Sequence, residues 1–272
     1  MESYILLQNN FYPSSKLLTH HIKALLEKLH ISIANTQSLM LDDKFLPFIA
    51  PVDYYAPLVR LLDNAYKDEK KVLVYDSQSL LVITKLLKNL YENVDFREEI
   101  SKSCACSIDI LNLENSFVFA PEVLFDKIKN AEIKHRRWEG FKCAFIIDRE
   151  LEERVLELQL ISRIENVTGL KILPFFKNSY AYLLQSNLEL AYKMGAMDYY
   201  EMVDCGVDFI LNANLGNFEL MDQHTKALQN ASGRDTAEVP LLFVPQVVLA
   251  LFMDANAESL KFSTHKIQPQ ML

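Results

Sequence analysis

The order of elements in this sequence predicts an α/β protein built from two pseudo-repeated units, each with a short, mostly parallel sheet. Short apolar segments typical of buried strands alternate with longer segments in which leucines recur at helical spacing. The order strand, helix, strand, long helical region, strand, helix occurs once in each half, which indicates a repeat of pattern. Of 272 residues, 50% are hydrophobic and 24% charged, which is a globular composition. We expect a first unit at 1–100, a connector at 101–139, a second unit at 140–255 and a C-terminal tail at 256–272.

The first unit begins with the apolar segment Tyr4-Ile5-Leu6-Leu7, which is typical of a buried strand. A loop is expected over 35–51, and Asp76 and Ser77 can cap the helix that follows the third strand. The predicted strands are 4–7, 31–33 and 72–75, and the predicted helices are 13–29, 53–66 and 77–90.

The segment between the units is more polar and less periodic, and for this reason we interpret it as a connector. It contains Cys104 and Cys106 and the basic run Lys134-His135-Arg136-Arg137. The basic run could meet an acidic partner or a nucleotide, although a short charge run is usually an exposed surface.

The second unit repeats the pattern, with a break in its long helix expected at Gly195. The acidic run over 150–157 is typical of the exposed face of an amphipathic helix. The predicted strands are 143–147, 171–173 and 207–211, and the predicted helices are 150–164, 179–205 and one that begins near Leu215.

Composition excludes several classes of function. All six glycines lie at or after Gly140, so the first half has no glycine-rich phosphate loop, and the second half has no GxGxxG motif. The net charge of −8 argues against nucleic-acid binding. We expect no targeting segment and no membrane insertion, since the longest apolar stretch, 241–253, is shorter than the ~20 residues of a spanning helix. Four cysteines do not form a disulfide framework, which favours the cytoplasm.

Several phrases, taken in order, are similar to those of a known family. Arg137-Trp138-Glu139-Gly140-Phe141-Lys142 precedes the second unit, and Gly206-Val207-Asp208-Phe209-Ile210-Leu211 covers its last predicted strand. Met221-Asp222-Gln223 and the segment 239–247 close it. The chain thereby resembles the HdrB subunit of heterodisulfide reductase and other proteins with duplicated cysteine-rich CCG domains. The resemblance covers nearly the whole chain and implies a CCG-domain-like duplication.

In that family each unit supplies five cysteines that hold iron–sulfur clusters, and none of the matching positions here is a cysteine. Iron–sulfur clusters need thiolate ligands, with occasional histidine. The resemblance therefore implies the fold, argues against the activity, and leaves a candidate polar pocket at the former cluster positions with no cofactor. The pocket candidates are Gln8, Asn9, Asp76, Ser79, Asn214 and Asn217. The remaining matched positions fall near Leu41 and Asp42 in the first unit, and near Arg149, Tyr180 and Ala181 in the second.

The remaining reactive side chains are those of the cysteines and histidines. Cys104 and Cys106 are candidate redox thiols, half of a metal site, or two inert thiols in a connector. Cys143 and Cys205 are expected in the core, because free cysteine behaves as a small hydrophobe. No metal site is expected. Among the histidines, His20 and His21 should face solvent, and His224 could join Asp222 in a polar cluster, with an isolated surface histidine as the alternative.

Three hypotheses of function follow. The leading one is a cluster-free, non-catalytic relative of the HdrB subunit that acts as a protein-binding or scaffolding subunit, with homo-oligomers possible. The alternative is an enzyme that uses a repurposed polar pocket or thiol chemistry at the CxC pair. The third is a structural partner-binding protein unrelated to the reductases.

Overall fold

The computed structural model describes residues 3–42, 44–134, 136–234 and 239–270. The chain forms two α/β units, one comprising 1–11 and 26–124 and the other 12–25 and 125–272. The predicted fold class is confirmed, since each unit contains a four-stranded parallel sheet.

The elements within the described residues have the following bounds. The strands are β1 (Ser3–Asn9), β2 (Ser32–Leu39), β3 (Lys71–Val74) and β4 (Phe117–Phe119) in unit 1, and β5 (Lys142–Asp148), β6 (Lys171–Lys177), β7 (Phe209–Asn212) and β8 (Leu241–Phe243) in unit 2. The helices are α1 (Ser15–Lys28), α2 (Leu46–Ile49), α3 (Pro51–Lys67), α4 (Ser77–Glu92), α5 (Val94–Cys104), α6 (Ile110–Asn115), α7 (Ala120–Ile128), α8 (Glu152–Glu157), α9 (Leu160–Thr168), α10 (Leu188–Val203), α11 (Leu215–Phe218), α12 (Thr225–Ser232) and α13 (Val244–Leu249).

The two sheets have the same topology. Their strand orders are β2-β1-β3-β4 and β6-β5-β7-β8. The central strands are continuous apolar runs, and β3 and β7 are almost wholly buried. Such runs are typical of parallel strands covered by helices on both faces. In each sheet the strand order reverses direction between the first and third strands of the unit, and this position is where open α/β sheets bind ligands.

The segment expected to be a connector contributes to the sheet of unit 1. β4 lies at Phe117–Phe119 and pairs with β3, and α5, α6 and α7 flank it. A three-residue strand between short helices carries too little periodicity to be read from sequence. Lys134 N–H donates to Leu251 O, and Arg137 donates to Ala250 O. The backbone of Lys134 and the side chain of Arg137 thus bind another part of the chain, while Lys134 and Arg136 remain exposed, as expected for a short charge run, and His135 lies outside the described residues.

Three elements of unit 2 differ from the expectation. The long helical region is a 3₁₀ turn at Ala181–Gln185 followed by α10, which continues through Gly195 without a break. A Cβ at Gly195 would lie 2.8 Å from Leu220 Cδ2, so this glycine permits close packing. The expected helix 150–164 is divided by Gln159, which adopts a left-handed conformation, although its acidic residues are exposed as predicted. The expected tail contains buried residues, among them Leu260, Phe262 and His265.

Within the described ranges, no helix combines the length and the hydropathy that crossing a membrane requires.

Candidate functional site

The candidate site residues can be placed relative to the switch points, which we define as the carboxyl ends of β1 and β3 in unit 1 and of β5 and β7 in unit 2. Asn9 ends β1 and Asp76 follows β3, while Asp148 ends β5 and Asn214 follows β7. All four side chains belong to buried residues, none of which is more than 4% exposed. Buried polar groups need partners, so their hydrogen bonds show what these positions do.

At the unit 1 switch point, Asn9 binds the loop that follows β2. Its Oδ1 accepts from the N–H groups of Leu41 and Phe11 at 3.0 Å, and its Nδ2 donates to Leu41 O at 3.0 Å. Gln78 Nε2 donates to the same carbonyl at 3.1 Å. Leu41 is one of the positions that the resemblance assigns to the cysteine pair of the family. In this structure Asn9 and Gln78 hold its backbone.

The Asp76–Ser79 pair forms a helix cap at the same switch point. Asp76 Oδ1 accepts from Ser79 N–H at 2.8 Å, which satisfies one of the free amides at the start of α4. Ser79 is fully buried, and within the described part of the chain its Oγ has no hydrogen-bond partner. Gln8 faces the opposite side of β1 from Asn9, because successive side chains of a strand alternate. It donates instead to Asn10 Oδ1 at 2.6 Å.

At the unit 2 switch point, Asn214 joins the two central strands. Its Nδ2 lies 2.9 and 3.0 Å from the two carboxylate oxygens of Asp148, and its Oδ1 accepts from Asn217 N–H at 3.0 Å. The side chain of Asn212 bonds both backbone groups of Asn214, at 2.7 and 3.0 Å. A buried carboxylate is thus bound to a side-chain amide, and that amide also caps α11.

Close packing occupies the space next to this hydrogen-bonded group. A Cβ added at Gly216 would lie 2.7 Å from Ala181 Cβ, 3.2 Å from Tyr12 Cε2 and 3.2 Å from Asn214 Oδ1. Ala181 is 1% exposed, and it lies where the resemblance places the cysteine pair of this unit. Gly216 therefore allows Ala181 and Tyr12 to close the site at the carboxyl end of β7.

Asn217 occupies the position in unit 2 that Ser79 occupies in unit 1, three residues after the capping side chain. It is 1% exposed, and neither polar atom of its side chain has a hydrogen-bond partner within the described residues. An unsatisfied buried polar group costs about 1–3 kcal/mol. Ser79 in unit 1 and Asn217 in unit 2 thus each carry a buried polar group that has no hydrogen-bond partner among the described residues.

A second buried polar group in unit 2 was not predicted from sequence. His265 Nδ1 lies 3.2 Å from Asp222 Oδ1, and His265 Nε2 lies 2.9 Å from Gln246 Nε2. Asp222 lies in a π-helical turn, Glu219–Gln223, a type of turn that is common at functional positions. The expected partner of Asp222 was His224, which instead contacts Tyr192 Oη at 3.3 Å. Asp222 and His265 are 43 positions apart, so no local spacing indicates the pair.

The hydrogen bonds fix the tautomer of His265. Gln246 Oε1 accepts from Phe243 N–H at 2.9 Å, which orients the amide so that its Nε2 donates to Leu260 O and to His265 Nε2. His265 Nε2 is therefore an acceptor, and its Nδ1 carries the proton donated to Asp222.

His21 bonds the same backbone carbonyl as Gln246, that of Leu260, and the prediction that His21 faces solvent is wrong. It is 0% exposed, and its Nε2 lies 3.0 Å from Leu260 O. Its neighbour His20 is exposed, as predicted. Burial lowers the pKa of His21 to about 3. The leucine spacing predicts this helix, but the buried face of the helix also includes His21.

The cysteines divide into one buried thiol and three accessible ones. Cys143 is fully buried, and burial raises the pKa of its thiol. Cys205 is half-buried, so its assignment to the core is wrong; it follows α10 and its Sγ donates to Glu201 O at 3.4 Å. Among the described residues, no group of three or more His, Cys, Asp or Glu side chains is placed to hold a metal ion.

Comparisons with known proteins agree with this architecture. The crystal structure of a hypothetical protein from Helicobacter pylori matches with a TM-score of 0.79 at 19% identity, over 100% of this chain and 53% of that chain. This chain therefore spans about half the length of that protein, and the likeness shows the fold alone. A periplasmic sugar-binding protein from Pseudomonas fluorescens reaches a TM-score of only 0.28 at 14% identity, over 89% of this chain and 68% of that one, which carries no argument. No curated protein matches the sequence.

Residues 180–266 match the family model of the HdrB-like C-terminal domain. The resemblance to the HdrB subunit of heterodisulfide reductase is thereby confirmed in this part of the chain. The matched region contains Asn214, Asn217, Asp222, Gln246 and His265, and thus most of both polar groups of unit 2.

Proposed function

We propose that this protein is a cluster-free, non-catalytic relative of the HdrB subunit of heterodisulfide reductase and acts by binding another protein. One observation carries the proposal. At both switch points, the positions that the resemblance assigns to cluster ligands are occupied by residues that bind or pack against their own chain. Asn9 holds Leu41 in unit 1, and Asn214 holds Asp148 in unit 2.

The donor set at these positions does not fit an iron–sulfur cluster. Carboxamide and hydroxyl groups are poor ligands for such iron, which is held by thiolate and occasionally by imidazole. Leu41 and Ala181 offer no side-chain donor at all. We therefore derive no electron-transfer step through these positions. The proposed location is the cytoplasm, because all four cysteines are free thiols.

The loop after β2 supplies a surface for the partner, and Asp42 holds it in place. Asp42 is 2% exposed, and its carboxylate accepts from the N–H groups of Lys44, Phe45 and Leu46 at 3.0–3.1 Å. Its carbonyl accepts from Tyr54 Oη. The resemblance assigns Asp42 to the cysteine pair, so a former cluster position now orders the segment that follows it.

The segment ordered in this way is apolar and exposed. We call Phe45–Ile49 the docking segment. Phe48 is 82% exposed and Ile49 76%, and none of the residues of α2 is buried. Met40, just before the loop, is 61% exposed. Exposed apolar residues that are ordered together supply the kind of surface that protein partners bind, and this supports the proposal.

The occupant we infer is a different protein with an apolar contact surface and a basic rim. A chain of net charge −8 repels its own copies and attracts a partner of opposite charge. A second copy is the competing occupant, and crosslinking of the docking segment separates the two.

The test compares wild type with the double variant Phe48→Glu/Ile49→Glu and with the control Met197→Glu, whose side chain on α10 is 60% exposed. Each tagged protein is purified from its native cells after in-cell crosslinking, and the associated proteins are quantified by mass spectrometry. We expect one stoichiometric partner with wild type and the control, at least tenfold depleted with the double variant, and direct binding of that partner when both are purified. Equal recovery with all three proteins, or tagged chain crosslinked only to untagged chain, would overturn the proposed docking. Anaerobic reconstitution with iron and sulfide tests the rest, and a stable cluster would refute the cluster-free assignment.

A second candidate function is recognition of a small polar molecule at the unit 2 switch point. The buried, unpartnered amide of Asn217 favours it, since a bound molecule would satisfy both polar atoms that have no partner within the described residues. Thermal-shift measurements with small amides, carboxylates and polyols, on wild type and on Asn217→Ala, decide it. Stabilisation of wild type alone supports recognition; a more stable Asn217→Ala with no responding compound contradicts it.

A further inference from the structure

The Cys104-Ala105-Cys106 sequence lies at the carboxyl end of α5 in a tight turn. Ala105 adopts the left-handed conformation, with φ 53° and ψ 37°. Its N–H donates to Lys102 O at 3.2 Å, and Cys106 N–H donates to Ser101 O at 3.3 Å. Helices commonly end in this way, usually with glycine at the left-handed position. Here an alanine takes the strained conformation between two cysteines.

This turn brings the two cysteines within disulfide range. Successive Cα atoms are about 3.8 Å apart, and two such steps that meet at roughly a right angle place Cys104 and Cys106 about 5.4 Å apart. A disulfide needs a Cα separation of about 4.4–6.8 Å. If Ala105 were extended, the separation would be about 7 Å, which is outside that range.

The thiols are accessible and close to one another. Both residues are half-buried, in contrast to Cys143, which is fully buried. The side chains of Cys104 and Cys106 interact directly, Arg60 lies beside Cys104, and Lys67 is near enough to Cys106 to interact with it electrostatically. Cys104 Sγ also donates to Ala56 O at 3.6 Å. Burial raises the pKa of the Cys104 thiol, which makes Cys104 less reactive as the first sulfur to attack the oxidant.

We propose that Cys104 and Cys106 form a dithiol–disulfide couple that hydroperoxides oxidise. The Cys106 sulfur attacks the O–O bond of hydrogen peroxide, an S–O bond forms, and water leaves after proton transfer. The Cys104 sulfur then attacks the sulfenic sulfur, the S–S bond forms, and the S–O bond breaks to release a second water. Overall, two thiols and one hydrogen peroxide give one disulfide and two waters, and two molecules of a low-molecular-weight thiol restore the dithiol.

A disulfide between Cys104 and Cys106 would close a small ring, and for this reason we expect a peroxide to be the oxidant. A disulfide across a single intervening residue is strained, and strained disulfides have oxidising potentials. A thiol–disulfide pool would oxidise such a pair only weakly, whereas a peroxide is a strong enough oxidant. This inference is independent of the proposed docking function.

The experiment uses the full chain carrying Cys205→Ser, which removes the other half-buried thiol outside the pair. Reduced protein is treated with equimolar hydrogen peroxide and followed by native thiol titration, intact mass and peptide mapping. We expect the loss of two titratable thiols, a Cys104–Cys106 disulfide within one chain, and full reversal by a monothiol. In Cys104→Ser, dimedone should trap a sulfenic acid at Cys106.

Two substitutions at Ala105 test the turn itself. Ala105→Gly preserves the left-handed conformation and should form the disulfide as fast as the parent. Ala105→Val disfavours it, because β-branched residues avoid positive φ, and should slow disulfide formation at least about tenfold. Circular dichroism checks that both variants are folded. Sulfinic acid at Cys106 with Cys104 still reduced, disulfides only between chains, or equal rates in both variants would overturn the proposal.

Discussion

Acidification should destabilise unit 2 through His21. The folded protein holds this imidazole neutral, with its pKa lowered from 6.5 to about 3, mainly because the ring is buried and also because His20 and His265 lie nearby. Leu260 O accepts its Nε2–H but only partly offsets the burial. The unfolded chain binds the proton below pH 6.5, whereas the folded chain does not until about pH 3. The contribution of His21 to stability is therefore complete above pH 6.5 and is lost as the pH falls towards 3, at about 1.4 kcal/mol per pH unit.

From pH 7.5 to pH 5, this coupling amounts to about 2 kcal/mol. Urea unfolding of wild type and His21→Gln at pH 7.5, 6.5, 5.5 and 5.0 measures it. Glutamine can still donate an N–H to Leu260 O but does not titrate in this range. The stability difference between the two proteins should shift by about 2 kcal/mol in favour of the variant across the series. Two parallel curves would refute the assignment, because the other ionisable groups are common to both proteins.

The two switch points give three further predictions, each checked by urea unfolding at pH 7.5. Asn214→Ala should lower the free energy of unfolding by about 2–4 kcal/mol, through loss of a helix cap and of the hydrogen bonds to Asp148. Asn214→Ser keeps the cap but not the bonds to Asp148 and should lose less; equal losses in the two variants would contradict the role of the cap. Gly216→Ala should cost about 1–3 kcal/mol, since the new Cβ would meet Ala181 at 2.7 Å; a neutral effect would mean that the site is not closed. Ser79→Ala should raise the free energy of unfolding by about 1 kcal/mol because the buried Oγ has no partner within the described residues, and a loss would indicate a bound group that it satisfies.

The fold could be predicted because its strongest signals are local. The apolar runs of β1, β3, β5 and β7 and the leucine spacing of α4 lie in continuous segments, and their order alone indicates a parallel sheet. The loop expected over 35–51 is wrong at its start, where β2 continues to Leu39, and the reason is physical. β2 is an edge strand, exposed along most of its length, so its residues 35–39 lack the burial pattern that identifies a strand.

The candidate site could be predicted only in part. The resemblance indicates Asn9, Asp76, Ser79, Asn214 and Asn217 as positions of the site, and a spacing of three residues indicates the caps, but neither predicts which side chains bond one another. The partners that close the switch points are distant in sequence, as with Asn9 and Leu41, which are 32 positions apart. Local sequence patterns indicate His265 even less, since it lies beyond α13 and bonds Asp222, which is 43 positions earlier in the chain. Such pairs are fixed by tertiary packing, which periodicity does not report.

The two units close their switch points by different means. Each retains a capping side chain after its third strand, Asp76 or Asn214, and this cap sets the start of the next helix without a metal. Unit 1 then closes the site with a backbone loop held by Asn9, whereas unit 2 uses the Asp148 carboxylate and the packing of Ala181 on Gly216. At both ends, groups of the protein itself thus supply these hydrogen bonds and packing contacts. In unit 1 the loop that closes the switch point is also the one whose Asp42 orders Phe45–Ile49, the segment that we propose as a docking surface.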